Sequence, residues 1–443
     1  MIRVSALARG SGWLLAAVWL LELIHLVRPS PALSALGLIG LLAFVVLALL
    51  RASPHIRILF AAVTAVAGLI AAVKGDPAML LGGLERARIF GAFLPSVLLL
   101  RATAEQSPRV AHLRGGLAAL DERARESWMV SGSHVLGAVL NVGAMGVMAP
   151  MLAPDTPAAR RATLAAASAR GVGTAVMWSP FFVALGFISH LVPSVRLWQA
   201  MALGAGIALI GLAISYALFT RGLGLAGLRA STGQLRPLLG PMLVVVAAVL
   251  LAADKLSLSG PAAVGLSLPV LCGAYLAVLG RPAARLVAQR TLRSFGQLAD
   301  ELLIVVGATV LGAVIAGLHE VSDVARSVTP AFLTGLPLIA ALTLALIGSG
   351  LLGLHPMIGA TVLLPILDGG GFGVAPAVLV ATAVFAWGLS ATISIWSLPV
   401  AAASSLFQVP LRTLAAGRAL TFAALYVAGA VAYLGLANAL LVP

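Results

Sequence analysis

The sequence predicts an all-α polytopic membrane protein, with about 11 transmembrane helices and two re-entrant hairpins arranged as two inverted-topology repeats. Three observations carry this expectation. The mean hydropathy is +1.09 and only 9% of the residues are charged, where soluble domains carry about 25%. Apolar runs of the roughly 17 to 25 residues needed to cross a bilayer recur from end to end. The stretch GSHVLGAVLNVGAMGVMAP, from Gly132 to Pro150, returns as GSGLLGLHPMIGATVLLP from Gly348 to Pro365.

Superposing the two stretches pairs Gly132 with Gly348, Ser133 with Ser349, Leu136 with Leu352, Gly137 with Gly353, Gly143 with Gly359 and Ala144 with Ala360. A second echo follows each copy. RGVGTAVMWSP from Arg170 is answered by WGLSATISIWSLP from Trp387, so that Trp178-Ser179 matches Trp396-Ser397. Two echoes in one order predict an internal duplication, and a duplicated membrane protein places its site where the repeats meet.

The first span is 12–27, with Glu22 and His25 on one helical face as a structural pair or a proton site. No small-residue cleavage site follows it, so 1–32 reads as a first span and not a signal peptide. The first repeat, 33–220, opens with spans at 33–50, 56–73 and 88–101, the last preceded by the loop Glu85-Arg86-Ala87-Arg88. A charged surface helix over 101–126 leads to a hairpin at 128–152. Its glycines suit irregular backbone at membrane depth, which needs small residues and close packing. A broken helix at 157–192 is interrupted by Gly171, Gly173 and Ser179-Pro180, and a span at 197–220 closes the repeat.

The Gly-rich basic segment 221–236 reads as a linker. The second repeat, 237–443, holds spans at 237–252, 260–279 and 300–318, a hairpin at 336–367, a broken helix at 375–403 and a last span at 417–440. Asp300 and Glu301 open a span, where acids suit the helix dipole as caps. An odd number of crossings in each half turns the second copy upside down.

The basic residues agree with this layout. With the N-terminus cytoplasmic and the C-terminus outside the inner (plasma) membrane, twenty arginines fall inside and seven basic residues outside, as positive-inside topology requires. The arginines form no dense patch, so nucleic acid is not an expected partner. The single Cys272 lies in an apolar run, which excludes a disulfide framework and gives no metal-ligand spacing. No cofactor is expected, and no metal beyond sodium contacts among the site residues.

Hairpin tips and helix breaks expose backbone groups that lack intrahelical partners. Half-helix N-termini suit an anion, while unwound carbonyls and hydroxyls suit a small cation. The candidate binding residues are Ser133, His134, Asn141, Gly173, Thr174 and Ser179 in the first half, with Ser131 beside them. The second half offers Ser349, His355, Thr361, Ser390, Thr392 and Ser394, with Ser397. Both sets are rich in hydroxyls and poor in carboxylates. His355 before Pro356 serves binding or proton coupling, or satisfies a carbonyl at a kink; His134 serves a site or sits in a packing face. Arg170 neutralises an anion or snorkels to the interface. Trp178 and Trp396 are interface anchors or gates.

Two inverted halves, each with a hairpin followed by a Gly/Thr-broken helix, resemble the ion transporter superfamily, which includes divalent-anion:sodium symporters, citrate carriers and arsenite permeases. The resemblance covers about 33–440 in architecture and the two motif pairs in residues. Where that family carries Ser-Asn-Thr at its tips, this chain has Leu140-Asn141-Val142 and His355-Pro356-Met357. The resemblance implies that 128–192 and 336–403 form a mobile transport domain moving against a scaffold, often in a homodimer.

The function expected is therefore secondary active transport, of the elevator type, of a small anionic solute such as a carboxylate or oxyanion. A proton or sodium gradient would drive it within the lipid bilayer. No Walker-type GxxxxGK[ST] stretch is present. The alternative is a membrane-embedded glycosyltransferase or polymerase acting on lipid-linked substrates, with Glu320 and Asp323 of the outside loop near 319–334 as its acids. A passive channel fits the duplicated, hairpin-bearing frame poorly.

Overall fold

The computed structural model describes residues 2–110, 122–153, 155–219, 229 and 232–442. Most of the 221–236 linker and the middle of the expected 101–126 surface helix lie outside the described residues. The first half contains α1 (Ile2–Val27), α2 (Pro31–Leu49), α3 (Pro54–Lys74), α4 (Ala78–Ala87), α5 (Phe90–Glu105), α6 (Glu122–Leu140), α7 (Gly143–Met148), α8 (Ala158–Val176), α9 (Val183–Leu191) and α10 (Leu197–Ile214). The second contains α11 (Arg236–Lys255), α12 (Gly260–Leu279), α13 (Arg281–Phe295), α14 (Ala299–Ala316), α15 (His319–Val328), α16 (Leu336–Leu351), α17 (Pro356–Asp368), α18 (Pro376–Ile393), α19 (Leu398–Phe407), α20 (Leu411–Ala415) and α21 (Arg418–Leu441).

The fold is all-α and polytopic. Among the described residues, 10 helical segments are long and apolar enough to cross a membrane. The expected crossing at 157–192 is not one of them, because its longer helix α8 carries Arg160, Arg161 and Arg170 within 19 residues. The span expected at 88–101 is longer, since α4 and α5 run together as one 28-residue segment, Ala78–Glu105, with its joint at Arg88.

The chain divides into two compact units. The first comprises Met1–Gln106, Ala248–Val328 and Thr361–Gly369. At its centre Arg88 donates to both carboxylate oxygens of Glu22, at 2.8 and 3.0 Å, and also to the Ser34 hydroxyl. The partner of Glu22 is thus Arg88, not His25, and Arg88 is buried rather than in an outside loop. A guanidinium fork matches a carboxylate in two bonds, which an imidazole cannot do. Gly37 of α2 is needed here, because a Cβ at that position would overlap the Glu22 carboxylate.

Two polar relays complete this unit. The Trp19 indole donates to Ser96 at 2.9 Å, and Ser96 donates to the Gly265 carbonyl at 3.0 Å, tying α1, α5 and α12 together. Asp300 accepts the Ser53 N–H at 3.2 Å, so it caps the start of the neighbouring α3. Helix α13 buries Val287, Thr291 and Phe295 and exposes Arg281, Arg285, Arg290 and Arg293, the pattern of a helix lying in a membrane surface.

The second unit comprises Ser107–Ala247, Thr329–Ala360 and Gly370–Pro443. It holds α6 packed on α8, α16 packed on α18, and α8 crossing α18, with α10 and α21 beside them. Small residues set these approaches. A Cβ at Gly137 would stand 3.3 Å from the Val172 Cα, and one at Gly171 would overlap the Val130 carbonyl. In membranes such close backbone contact is a main source of helix association.

Candidate functional site

Each hairpin turns on one residue in the left-handed conformation that ends its first helix. In the first it is Asn141, at φ 55°, whose side-chain oxygen accepts the Val142 N–H at 2.7 Å. In the second it is Gly353, at φ 86°, after which the Leu354 N–H reaches back to the Ser349 carbonyl at 3.0 Å. These are two solutions to one problem, since the last carbonyls of a helix need donors and only Gly or Asn adopts this geometry cheaply.

The broken helices stop at matching points. Helix α8 ends at Val176 and the chain resumes as α9 at Val183; α18 ends at Ile393 and resumes as α19 at Leu398. At the first break Ser179 donates to the Ala138 carbonyl at 2.6 Å and accepts the Phe181 N–H at 3.3 Å. At the second, Ser394 donates to the Gly350 carbonyl at 2.8 Å and accepts the Trp396 N–H at 3.3 Å. Each serine thereby ties its break to the last turn of its own hairpin's first helix. The sequence echo pairs Ser179 with Ser397, but the hydrogen bonds pair it with Ser394. Ser397 instead caps α19, accepting the Val400 N–H at 3.3 Å.

The sequence candidates fall largely into one chain of contacts within this second unit. Ser133 and Ser168 share a 2.7 Å hydrogen bond between α6 and α8. Beside it, His134 Nδ1 lies 2.9 Å from the Thr174 hydroxyl, which donates to the Gly171 carbonyl at 2.9 Å. The Trp178 indole donates to His134 Nε2 at 3.2 Å. Gly173 abuts the Thr392 side chain, joining the two broken helices. A Cβ at Gly350 would stand 2.8 Å from Ser390, joining α16 to α18. The His355 ring meets Trp387 edge to face at 5.1 Å between centroids, and its Nδ1 accepts the Met357 N–H at 3.3 Å.

Several candidate hydroxyls bond within their own helices. Ser131, Ser349, Ser390 and Thr392 donate to carbonyls of their own helices, at 3.0, 2.8, 2.9 and 2.7 Å. Thr361 is fully buried but belongs to the first unit. Asn141 holds the hairpin tip.

Arg170 is buried, with its guanidinium carbon 5.9 Å from the centre of the Phe422 ring. Trp396 is 70% exposed and covers Gly353, so the aromatic partner of the second-half histidine is Trp387. Sequence reasoning passed over Trp387, although its spacing one turn before Ser390 on the broken helix was a usable signal. The loop acids Glu320 and Asp323 are engaged in ion pairs with Lys74 and Arg326.

No protein-family model matches the chain, and no curated protein matches it in sequence. Solved structures do match in fold. The chain is similar to Neisseria gonorrhoeae MtrF, described as illuminating a class of antimetabolite efflux pumps, with a TM-score of 0.50 and 15% identity over 83% of this chain and 84% of that one. It is also similar to the Alcanivorax borkumensis YdaH transporter, with a TM-score of 0.49 and 15% identity over 81% of this chain and 86% of that one.

Proposed function

We propose that this chain is a secondary active transporter of a small anionic solute, such as a carboxylate or oxyanion, driven by a proton or sodium gradient. The observation that carries this reading is the meeting of two broken helices, at Gly173 and Thr392, each held to its hairpin by a serine. Broken helices facing one another from two repeats provide the half-helix ends at which membrane carriers bind charged solutes. Helices α8, α9, α16, α18 and α19 carry no carboxylate, so they supply no fixed anion to the positive ends of α9 and α19.

The reading extends to elevator-type alternating access, with 128–192 and 336–403 as the moving part. It includes the inner membrane as the location, a cytoplasmic N-terminus, an outside C-terminus and a homodimeric assembly. The fold likeness to MtrF, an efflux pump by its description, supports transport as the class of activity. The charge distribution supports the orientation.

The test uses purified full-length chain in liposomes. Flux of radiolabelled mono-, di- and tricarboxylates, sulfonates and inorganic oxyanions is measured under imposed pH or sodium gradients, with choline replacing sodium. At least one anion should move faster than in protein-free vesicles, and only under one of the two gradients. Flux at the protein-free level for the whole panel under both gradients sinks the reading.

A further inference from the structure

The hydrogen bonds around His134 have only one consistent direction. An indole N–H can donate but never accept. Trp178 Nε1 lies 3.2 Å from His134 Nε2, so that ring nitrogen presents its lone pair. The ring proton is therefore on Nδ1, 2.9 Å from the Thr174 hydroxyl, which passes its own proton to the Gly171 carbonyl at 2.9 Å. The relay runs from Trp178 to His134 to Thr174 to Gly171, and only the neutral imidazole completes it. Gly171 lets α8 approach α6 closely enough for it, since a Cβ there would overlap the Val130 carbonyl and stand 3.0 Å from the backbone nitrogen of His134.

Resting on the transport reading above, we propose that His134 Nε2 is the binding site of the coupling proton, and that its protonation releases Trp178 from the break of α8. The step takes up one proton on the Nε2 lone pair and turns the imidazole into an imidazolium. No covalent bond breaks. The new N–H then faces the indole N–H, two donors meet at 3.2 Å, and the indole must leave. Trp178 lies between Met177, whose carbonyl touches Gly204 of α10, and Ser179, which holds the Ala138 carbonyl. Release of the indole thus acts on both joints of the broken helix.

The surroundings favour a proton over sodium. Ser179, Ser394, Ser390 and Thr392 all direct their hydroxyl protons at backbone carbonyls. No carboxylate lies on the broken helices to offset a bound sodium ion. Among the described side chains, the titratable and charged groups on the elements packed around His134 are Arg125 and Glu126 on α6, Arg160, Arg161 and Arg170 on α8, and Tyr216 after α10; α7 carries none. Glu126 pairs with Arg160 at 3.2 Å, and Tyr216 hydrogen-bonds toward Ser131 and Ser127. His355 differs, because its Nδ1 is held by the Met357 N–H of its own turn and protonation there frees no indole.

The deciding variant is His134→Gln, whose carboxamide can accept from Trp178 and donate to Thr174 but takes up no proton. Tryptophan fluorescence of the full chain in lipid nanodiscs is titrated from about pH 8 to about pH 4 without any solute. Wild type should show a reversible step that both His134→Gln and Trp178→Phe abolish, and flux of the panel anions should lose its pH dependence in His134→Gln. A step that persists in His134→Gln, or no step in wild type, overturns the proposal.

Should His134→Gln not fold, Trp178→Phe carries the flux test. Without the indole competing for Nε2, the pH profile of flux should move upward by on the order of one pH unit, and an unmoved profile overturns the proposal. A wild-type flux whose pH dependence survives in His134→Gln leaves the transport reading standing and removes this one. Absence of flux for every anion removes the transport reading, and the solute-free titration still reports on His134 by itself.

Discussion

Gly173 of the first broken helix lies directly against the Thr392 side chain of the second, so the two helices touch within a turn of the points where each stops. A methyl group at 173 would overlap Thr392 Cγ2. Overpacking of this kind costs about 1 to 3 kcal/mol. Gly173→Ala should lower flux at least several-fold while the protein still inserts, and Thr392→Ser, which deletes the offending methyl, should restore it. Additive losses in the double variant, measured in liposomes, would show that the two positions do not meet.

Ser179 and Ser394 each satisfy a buried carbonyl across a helix pair. Replacing either by Ala removes that hydroxyl donor, at a cost of about 1 to 3 kcal/mol where the oxygen is left unpaired; the Gly350 carbonyl keeps the Gly353 N–H at 3.3 Å, so Ser394→Ala falls at the low end. Each variant should melt several degrees lower in detergent by differential scanning fluorimetry. Ser397→Ala removes the α19 cap, costing about 1 kcal/mol, together with the donor to the Ala391 carbonyl of α18 at 2.6 Å, a bond within the same broken helix. Equal melting for Ser394→Ala and wild type would restore the register suggested by the sequence echo.

The Glu22–Arg88 pair is buried, with side-chain exposures of 4% and 7%. Deleting one partner strands the other charge and costs about 3 to 5 kcal/mol, whereas removing both with apolar residues is often neutral. Glu22→Leu alone and Arg88→Met alone should both reduce the yield of monodisperse protein sharply, and the double variant should recover most of it. A single variant as stable as wild type would exclude a structural role for the pair.

Cysteines placed singly in the 153–160 and 368–374 loops should react with a membrane-impermeant maleimide from opposite faces of the membrane. The native Cys272 is buried and gives a low background. Labelling of both loops from one face would rule out inverted repeats.

The all-α membrane class was legible in composition alone, because hydropathy reports burial in lipid directly. The places where helices stop were marked by Gly, Ser and Pro, residues whose backbone preferences act locally. What the sequence hid depends on contact across space. Helix breaks of different length shift the register, so Ser394, not Ser397, plays the part of Ser179. Arg88 read as a loop residue because nothing local to it announces a carboxylate 66 positions earlier. Thr361 shares its motif with Ser349 and His355, yet belongs to the other unit. Trp387 is one apolar residue among many until the His355 ring is placed against its face.

That ion pair also constrains how the chain is made. Glu22 leaves the ribosome 66 residues before Arg88, and a lone acid or arginine at the centre of an inserting helix costs about 2.5 to 3.5 kcal/mol. The first helix is therefore made before its counter-ion, which lies on the fourth spanning segment. The pair forms only after that segment has been made, and it ties α1 to the fourth span across two intervening spans.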